Sequence, residues 1–382
     1  MMKAIINTSN LVVGGAKQVA QSFLYELSIR KDGIEFHVFL SKEMKREINE
    51  KSFPTNFTFY HIQNKPKPFF KGKKAKKELN SLEKSIKPDV VFSVFGPVYW
   101  RPQSKHISGF ASGWAINPES IAYNVLSAKT KLKIKLTNWV KLFYINQPEA
   151  EKYIVETEVV KELLNKHSNI ALTDIEVVSN TFGDQYNSTV ISNNKITPKY
   201  DSFFKFITIS ANYAHKNLEI IGKVIPLIQA KKLNVKFFVT LPENEFKVLF
   251  TGFENHVINL GVVKAIDCPS FYKACDALFL PTLLESFTAS YPEAMKMDLP
   301  ILTSDLDFAL DLCGSAAVYC DTLNAQDTFA KIEELITNKD LQESLVKSGK
   351  TQLNKFDTSK TRAEKYLKIC GLLNPQENSL RN

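Results

Sequence analysis

Short apolar runs separated by amphipathic stretches of helical spacing recur along the whole chain and predict alternating strands and helices. In the first half, strands are expected at Lys3–Asn7, Ile34–Leu40, Phe57–Ile62, Asp89–Phe95, His106–Phe110, Phe143–Ile145 and Ile175–Ser179. Helices are expected at Lys17–Ile29, at Lys74–Ile86, over the basic stretch Lys129–Lys141 and at Glu149–Lys166. The stretch 183–200 is rich in Asn, Ser and Thr, lacks periodicity and is read as a linker. The pattern then restarts with strands at Phe203–Ser210, Val235–Thr240, His256–Asn259, Ala277–Leu280, Pro300–Thr303 and Ala316–Cys320. The helices of this half are placed near Asn217–Ala230, Pro292–Met297, Leu306–Leu312, Ala325–Thr337, Lys339–Gln352 and Ser359–Ile369. Such alternation belongs to parallel α/β sheets, here in two domains: 1–182, and 201–357 after the linker. The stretch 358–382 is read as a C-terminal helix able to pack back on the first domain, followed by a tail.

One segment, Ala277–Ser304, concentrates the candidate chemistry. It reads as strand, loop, helix, strand, with Glu285 in the loop and Glu293 just inside the helix. Open parallel sheets bind ligands outside the carboxyl ends of their strands, where this loop falls. The helix start offers unbonded N–H groups to an anion, and Pro292 is tolerated there because the first turn needs no donor. Amides for a diphosphate beside carboxylates for hydroxyls are the parts that grip a sugar nucleotide. The plainer reading is two solvated acids at a helix entrance, where acids are common. Lys216, at the entrance of the helix after the first strand of its domain, is a cation where a cation is locally unfavourable unless an anion is expected there. In the first domain, Gly14-Gly15 follows the first strand and would let a backbone approach a ligand closely. It is not the G-x-G-x-x-G fingerprint of a dehydrogenase.

Composition changes this picture in three ways. With 382 residues and 44% hydrophobic content the chain is globular and too long for one ordinary core. No apolar run of eighteen residues occurs and Met1–Asn10 lacks a signal-peptide layout, so a cytoplasmic location is expected. The five cysteines show no CxxC pairing and the six histidines no metal-ligand spacing, so buried free thiols, no metal and no cofactor are expected. The net charge of +9 lies wholly in the first half, where 27 Lys and Arg face 18 Asp and Glu up to Val190. Lys65–Lys77 holds seven lysines around Phe69 and Phe70, and Lys129–Lys141 holds five among Leu132, Ile134, Leu136 and Trp139. Lysines mixed with aromatic and aliphatic residues suit an anionic membrane surface. A solvated lysine-rich face is the alternative. No nucleic-acid-binding signature accompanies the charge.

Taken together these residues resemble the retaining GT-B glycosyltransferases of family 4, the group 1 glycosyltransferases. The family signature is similar to E-G-F-G-x-x-x-x-E-A-M, and here Glu285-Ser286-Phe287-Thr288 leads to Glu293-Ala294-Met295 with the same spacing. Gly261-Val262, Tyr272 to Asp276, Leu299 to Asp305 and Gly314 to Tyr319 follow the family order, and Gly14-Gly15 and Val177–Asn180 echo the first domain. The resemblance implies a GT-B fold, two Rossmann-like domains facing a central cleft. It implies a nucleoside-diphosphate-sugar donor and transfer with retained configuration to a lipid-linked or surface-polysaccharide acceptor of capsule, O-antigen or lipopolysaccharide type. The enzyme would be peripheral at the inner face of the plasma membrane. By the same resemblance Glu293 would hold the ribose, Glu285 would lie by the transferring sugar, and Lys216 would neutralise the leaving diphosphate. Amides of Ser286, Phe287, Thr288 and Ala289 would meet the diphosphate, Gly261 and Val262 would border the base, and Gly14 and Gly15 would reach the donor from the first domain. Trp114, Asn117 and His106 are the acceptor-side candidates.

The chain departs from the family at three points. Ser210-Ala211-Asn212 stands where the family has Gly-Arg, Ser286 and Thr288 replace glycines, and Phe110–Gly113 occupies the apparent place of the family's first-domain histidine. The competing reading is therefore a non-catalytic GT-B protein that binds a sugar nucleotide or scaffolds a partner. Asp305-Leu306-Asp307 also resembles the D-x-D metal motif of some sugar transferases, but its place after a strand makes Asp305 a candidate helix cap instead.

Overall fold

The computed structural model describes residues 2–12, 14–147, 149–188, 196 and 198–373. The chain forms two compact units, one drawn from residues 2–118, 132–180 and 357–373, the other from 119–131 and 181–356. Part of the sequence-predicted linker, 189–195 and 197, lies outside the described residues, as does the tail 374–382.

In the first unit the order is β1 (Lys3–Thr8), α1 (Gly15–Ser28), β2 (Glu35–Leu40), α2 (Lys42–Lys45), β3 (Phe57–His61), α3 (Lys73–Ile86), β4 (Val90–Gly96), β5 (Lys105–Phe110), α4 (Gly113–Ile116), α5 (Ala128–Asn146, of which the part from Leu132 on belongs to this unit), β6 (Lys152–Val155), α6 (Glu158–His167) and β7 (Ile175–Val177). These strands make a seven-stranded sheet in the order β3-β2-β1-β4-β5-β6-β7, and every pairing is parallel. Strands buried on both faces read as continuous apolar runs, which is why β1, β2 and β4 were legible. The sheet carries helices on both sides. On one, Phe23 of α1 packs edge-on against Phe92, with ring centroids 5.5 Å apart, and against Tyr366 at 5.3 Å. On the other, Leu79 and Ile86 of α3 join Ile5, Phe39 and Trp100.

In the second unit the order is β8 (Phe204–Thr208), α7 (Glu219–Ala230), β9 (Val235–Val239), α8 (Glu243–Phe250), β10 (Val257–Asn259), α9 (Cys268–Lys273), β11 (Ala277–Leu280), α10 (Ser290–Lys296), β12 (Ile301–Ser304), α11 (Asp307–Cys313), β13 (Ala317–Cys320), α12 (Ala325–Thr337) and α13 (Lys339–Leu353). Its six-stranded parallel sheet runs β10-β9-β8-β11-β12-β13. The strand order reverses between β8 and β11, which makes the carboxyl ends of those two strands the switch point of a doubly wound sheet. The last helix, α14 (Ser359–Cys370), belongs to the first unit. Its Arg362 is buried, bonded to Asn180 and, at 2.9 Å, to Ser22 of α1.

Three expectations are corrected. Phe143–Ile145 is not a strand but the end of α5. The expected helix over Glu149–Lys166 contains strand β6, inserted between β5 and β7, and its helical part begins only at Glu158. The apolar residues of this stretch fit either period, and burial between two neighbours selects the strand for Tyr153-Ile154-Val155. Thr157 then caps α6 by accepting from the Val160 N–H at 3.2 Å. Asp305 caps nothing: its N–H still bonds the Cys320 carbonyl at 2.9 Å, and α11 begins at Asp307. Helices α8 and α9 were not foreseen.

Candidate active site

The switch point of the second sheet is built by the two segments that leave β8 and β11. After β8 the chain makes a single 3-10 turn, Ala214–Lys216, and enters α7 through Asn217, whose left-handed φ of 51° re-aims the backbone. Asn side chains tolerate this conformation, and here the amide is buried and donates to the Thr322 carbonyl at 2.7 Å. The turn is thereby presented to the segment after β11. Leu283 N–H donates to the His215 carbonyl at 2.7 Å, and Thr282 Oγ1 donates to Glu285 at 2.7 Å. Lys216 Nζ forms an ion pair with the same Glu285 oxygen, Oε1. The two side chains are only 15% and 10% exposed, so neither charge is free to swing into solvent. A pair this shielded fixes a cation in place, and removing one member leaves the other buried and unpaired. His215 stacks on Tyr213, with centroids 5.6 Å apart and planes within 5°. Burial lowers the pKa of its imidazole, against Glu285, which raises it, and with Lys216, which lowers it further.

From Glu285 the loop runs through Ser286, Phe287 and the buried Thr288 to Ala289, where α10 begins. Phe287 is held edge-on by Phe356 at 6.0 Å, which fixes this loop against the body of its own unit. The first helical bond of α10 is Glu293 N–H to the Ala289 carbonyl at 2.9 Å, so the amides of the preceding residues have no partner within the helix. Glu293 Oε2 accepts from the Tyr272 hydroxyl at 3.2 Å. Burial pushes the Glu293 carboxyl up to about 7, against Tyr186 and Tyr272, whose hydroxyls hold it down. Gly261 adopts φ +74°, which a side chain would strain, and its N–H is held by Asn259 Oδ1 at 3.1 Å; Val262 beside it is exposed.

The first-unit candidates occupy different positions. Gly14 stands at the N-cap of α1 with φ 68°, and a Cβ at Gly14 or Gly15 would meet no atom within 4 Å, so the backbone there is open to approach. His106 lies inside the sheet, its ring between Ser93 Oγ at 2.9 Å and the Glu149 carbonyl at 2.5 Å. Burial lowers its pKa to about 4, which keeps it neutral as a strut between β4 and β5. Trp114 lies in α4, its carbonyl accepting from Asn138, and Asn117 is the C-cap of that turn. Among the described residues no group of three or more His, Cys, Asp or Glu side chains could hold a metal ion. The five cysteines are free and buried, as their spacing implied.

The structure thus joins Lys216 to Glu285 and places Glu293 one helix entrance further on. Sequence reasoning missed Thr282, His215 and Asn217, which orient that pair, and the tyrosines that flank Glu293. The only local signals were Thr282 directly after the strand-ending Pro281 and the His-Lys-Asn run at the start of α7.

Two doubly wound parallel sheets in one chain, the second with a cation–carboxylate pair at its switch point, define a GT-B architecture. The fold of the chain is similar to that of WaaG, a glycosyltransferase involved in lipopolysaccharide biosynthesis, with a TM-score of 0.71 at 14% identity over 97% of this chain and 99% of that one. It is similar also to Alr3699/HepE of Anabaena, solved in complex with UDP-glucose, with a TM-score of 0.69 at 15% identity over 97% of this chain and all of the other, 100%. Residues 191–352, which lie within the second unit, match the family model of glycosyl transferases group 1. The capsular polysaccharide biosynthesis glycosyltransferase CapM of Staphylococcus aureus is 25% identical over 187 residues, 46% of this chain and 49% of that protein. The match therefore spans about half of that relative's length.

Proposed function

We propose that the protein is a glycosyltransferase that moves a sugar, with retained anomeric configuration as in family 4, from a nucleoside diphosphate sugar to a lipid-linked or surface-polysaccharide acceptor. The observation that carries this reading is the Lys216–Glu285 pair locked at the switch point of a group 1 domain. In the transfer the bond from the sugar's anomeric carbon to the diphosphate breaks, and negative charge grows on the leaving diphosphate. Lys216 supplies a cation already fixed there, and the amides from Ser286 to Ala289 add oriented dipoles that need no reorganisation. Glu285 sits by the transferring sugar, where its carboxylate faces a hydroxyl or the positive charge of an oxocarbenium-like state. Glu293 accepts from the ribose hydroxyls, with Gly261 and Val262 along the base. The acceptor hydroxyl then bonds the anomeric carbon on the face the diphosphate left, and its proton passes to the departing diphosphate oxygen on that same face.

The capsular relative supports an acceptor of the surface-polysaccharide class, and the neighbour solved with UDP-glucose supports a nucleotide-sugar donor. Lys216 and the loop amides carry the charge-neutralising role in this reading, so turnover is expected without a divalent ion. A membrane-peripheral site of action at the inner face of the plasma membrane follows from the two lysine-rich segments. The second reading, a non-catalytic sugar-nucleotide-binding or scaffolding protein, draws on Ser210-Ala211-Asn212 in place of the family's Gly-Arg.

Glu285→Ala and Lys216→Ala separate the two. The enzyme reading predicts that each variant loses sugar transfer while far-UV circular dichroism stays native. Unchanged partner capture by both variants, with no transfer by the wild type from any nucleotide sugar, would decide for the scaffold.

A further inference from the structure

The two lysine-rich segments, distant in sequence, meet on one face of the first unit. Along α5, Leu132, Leu136, Trp139 and Phe143 recur at steps of four, three and four, so they form a single stripe. They are 71%, 63%, 60% and 39% exposed. Lys133 and Lys135 flank the stripe on opposite sides. At its far end Trp139 stacks on Phe143 with centroids 5.9 Å apart, and Phe143 meets Phe69 at 6.0 Å. Phe69 lies in the turn before α3 with a left-handed φ of 53°, a costly conformation for an aromatic residue. Its N–H is held by the Tyr144 hydroxyl at 2.6 Å, and its ring by Tyr144 at 5.6 Å. Gly72 closes the turn where no side chain fits: a Cβ would stand 2.1 Å from the Lys67 carbonyl oxygen. The neighbouring Phe70 is 91% exposed on a backbone that the turn fixes.

Around these rings stand Lys65, Lys67, Lys71, Lys73, Lys74 and Lys77, all exposed. Lys76 lies over the Tyr144 ring at 5.3 Å. Among the described residues none of Lys71, Lys73, Lys74, Lys77, Lys133 and Lys135 forms an ion pair. Two hollows border the turn. One, of ≈ 620 Å³, is lined largely by lysines, and the other, of ≈ 590 Å³, by Phe69, Phe70, Lys73, Lys76, Lys77 and Asn80.

A continuous apolar patch rimmed by uncompensated cations calls for a partner that answers both features. A soluble polyanion would leave the rings in water, and an apolar protein face would leave the lysines unneutralised. A bilayer with anionic headgroups meets both: rings enter the headgroup–acyl boundary while lysine stems lie along apolar surface and their heads reach phosphate. No helix among the described residues is long and apolar enough to cross a membrane, so the mode is attachment to the surface.

We infer that Phe70, Leu132, Leu136 and Trp139, with the exposed lysines of 65–77 and Lys133 and Lys135 of α5, form one membrane-docking platform for bilayers rich in anionic phospholipid. This deepens the membrane location proposed above by naming its surface and partner, and its test does not involve the donor site. The full chain is floated with vesicles of phosphatidylcholine alone or with one-third phosphatidylglycerol, and tryptophan emission is followed with brominated acyl chains. Binding is expected only to the anionic vesicles, to weaken with salt, and to quench emission that Trp139→Phe removes. Phe70→Ser with Trp139→Ser should lower partitioning about tenfold. Lys73, Lys74 and Lys77 changed to Gln should erase the lipid preference. A matched removal of charge from the second unit, Lys339, Lys347 and Lys355 to Gln, should change nothing. Equal binding to both vesicles, no quenching, or platform variants that behave like the matched control would overturn the inference. So would a dimer in solution that the ring variants dissociate while vesicle binding stays unchanged. Melting curves and nucleotide-induced shifts of the platform variants are expected to match the wild type, which keeps failure here distinct from failure of the transferase reading.

Discussion

Two sets of lysines, one in each unit, are held in opposite ways. In the second, Lys216 is shielded and tied to Glu285, which Thr282 orients in turn. In the first, the lysines of the Lys65–Lys77 stretch are almost all exposed, and those around Phe70 have no carboxylate partner among the described residues. A cation pinned within a low-dielectric pocket keeps its position and suits one charge that appears at one place, as on a leaving diphosphate. Mobile cations on long stems suit a charge spread over a surface, and they are screened by salt. On the function and docking surface proposed above, the contrast separates a site for chemistry from a site for attachment using the same residue type.

The sharpest way to break that comparison is Lys216→Ala. Turnover should fall about 10²–10³-fold, the usual cost of removing one preorganised group that stabilises developing charge. Stability should fall by about 3 kcal/mol in a urea melt, because Glu285 is left buried without its partner. Replacing the pair together, Lys216→Met with Glu285→Leu, should return most of that stability and none of the turnover. Recovery of turnover in the double variant would show that the pair is only structural.

Next in size is an effect of buried carboxylates, which the comparison predicts to depend on pH rather than on salt. Burial pushes Glu156 up to about 7, against Asn180 and Arg362, which lower it. The native carboxyl keeps its proton up to that pH while the unfolded chain, near the ordinary value of 4.5, has already released it. Stability from this group is complete below pH 4.5 and is lost as pH rises through 7. Glu156→Gln should remove the slope, so that between pH 5 and pH 8 wild type loses about 3 kcal/mol more than the variant. Parallel stability curves for the two proteins would contradict this placement of the proton. Smallest of all, Lys71, Lys73, Lys74 and Lys77 changed together to Gln should move stability by no more than about 0.5 kcal/mol in thermal melts, since they hold nothing in the fold.

Much of this was legible because strands buried on both faces announce themselves as apolar runs, and Pro and Gly mark their ends. Ala277–Leu280 ends at Pro281, and the strand matches the expected bounds. Strand β6 was not legible, since Lys152–Val155 is short and its apolar residues continue at helical spacing into α6. Lys216 and Glu285 were each visible as candidates, but they lie 69 residues apart, and only the parallel neighbours β8 and β11 bring them together. The platform has the same character. Each basic stretch is plain in the sequence, whereas the contact of Phe69 with Phe143 and Tyr144 depends on where α3 and α5 lie in the first unit.

The most direct test of the donor site is a thermal-shift panel with UDP, GDP, ADP, CMP and TDP, with and without magnesium, on the wild type and on Glu293→Ala. A ligand that binds only the folded state raises the melting temperature by mass action. One nucleotide should stabilise the wild type equally with and without magnesium, and that shift should vanish in Glu293→Ala. The absence of a shift with every nucleotide, or the same shift in both proteins, would contradict the assignment of this switch point as the donor site.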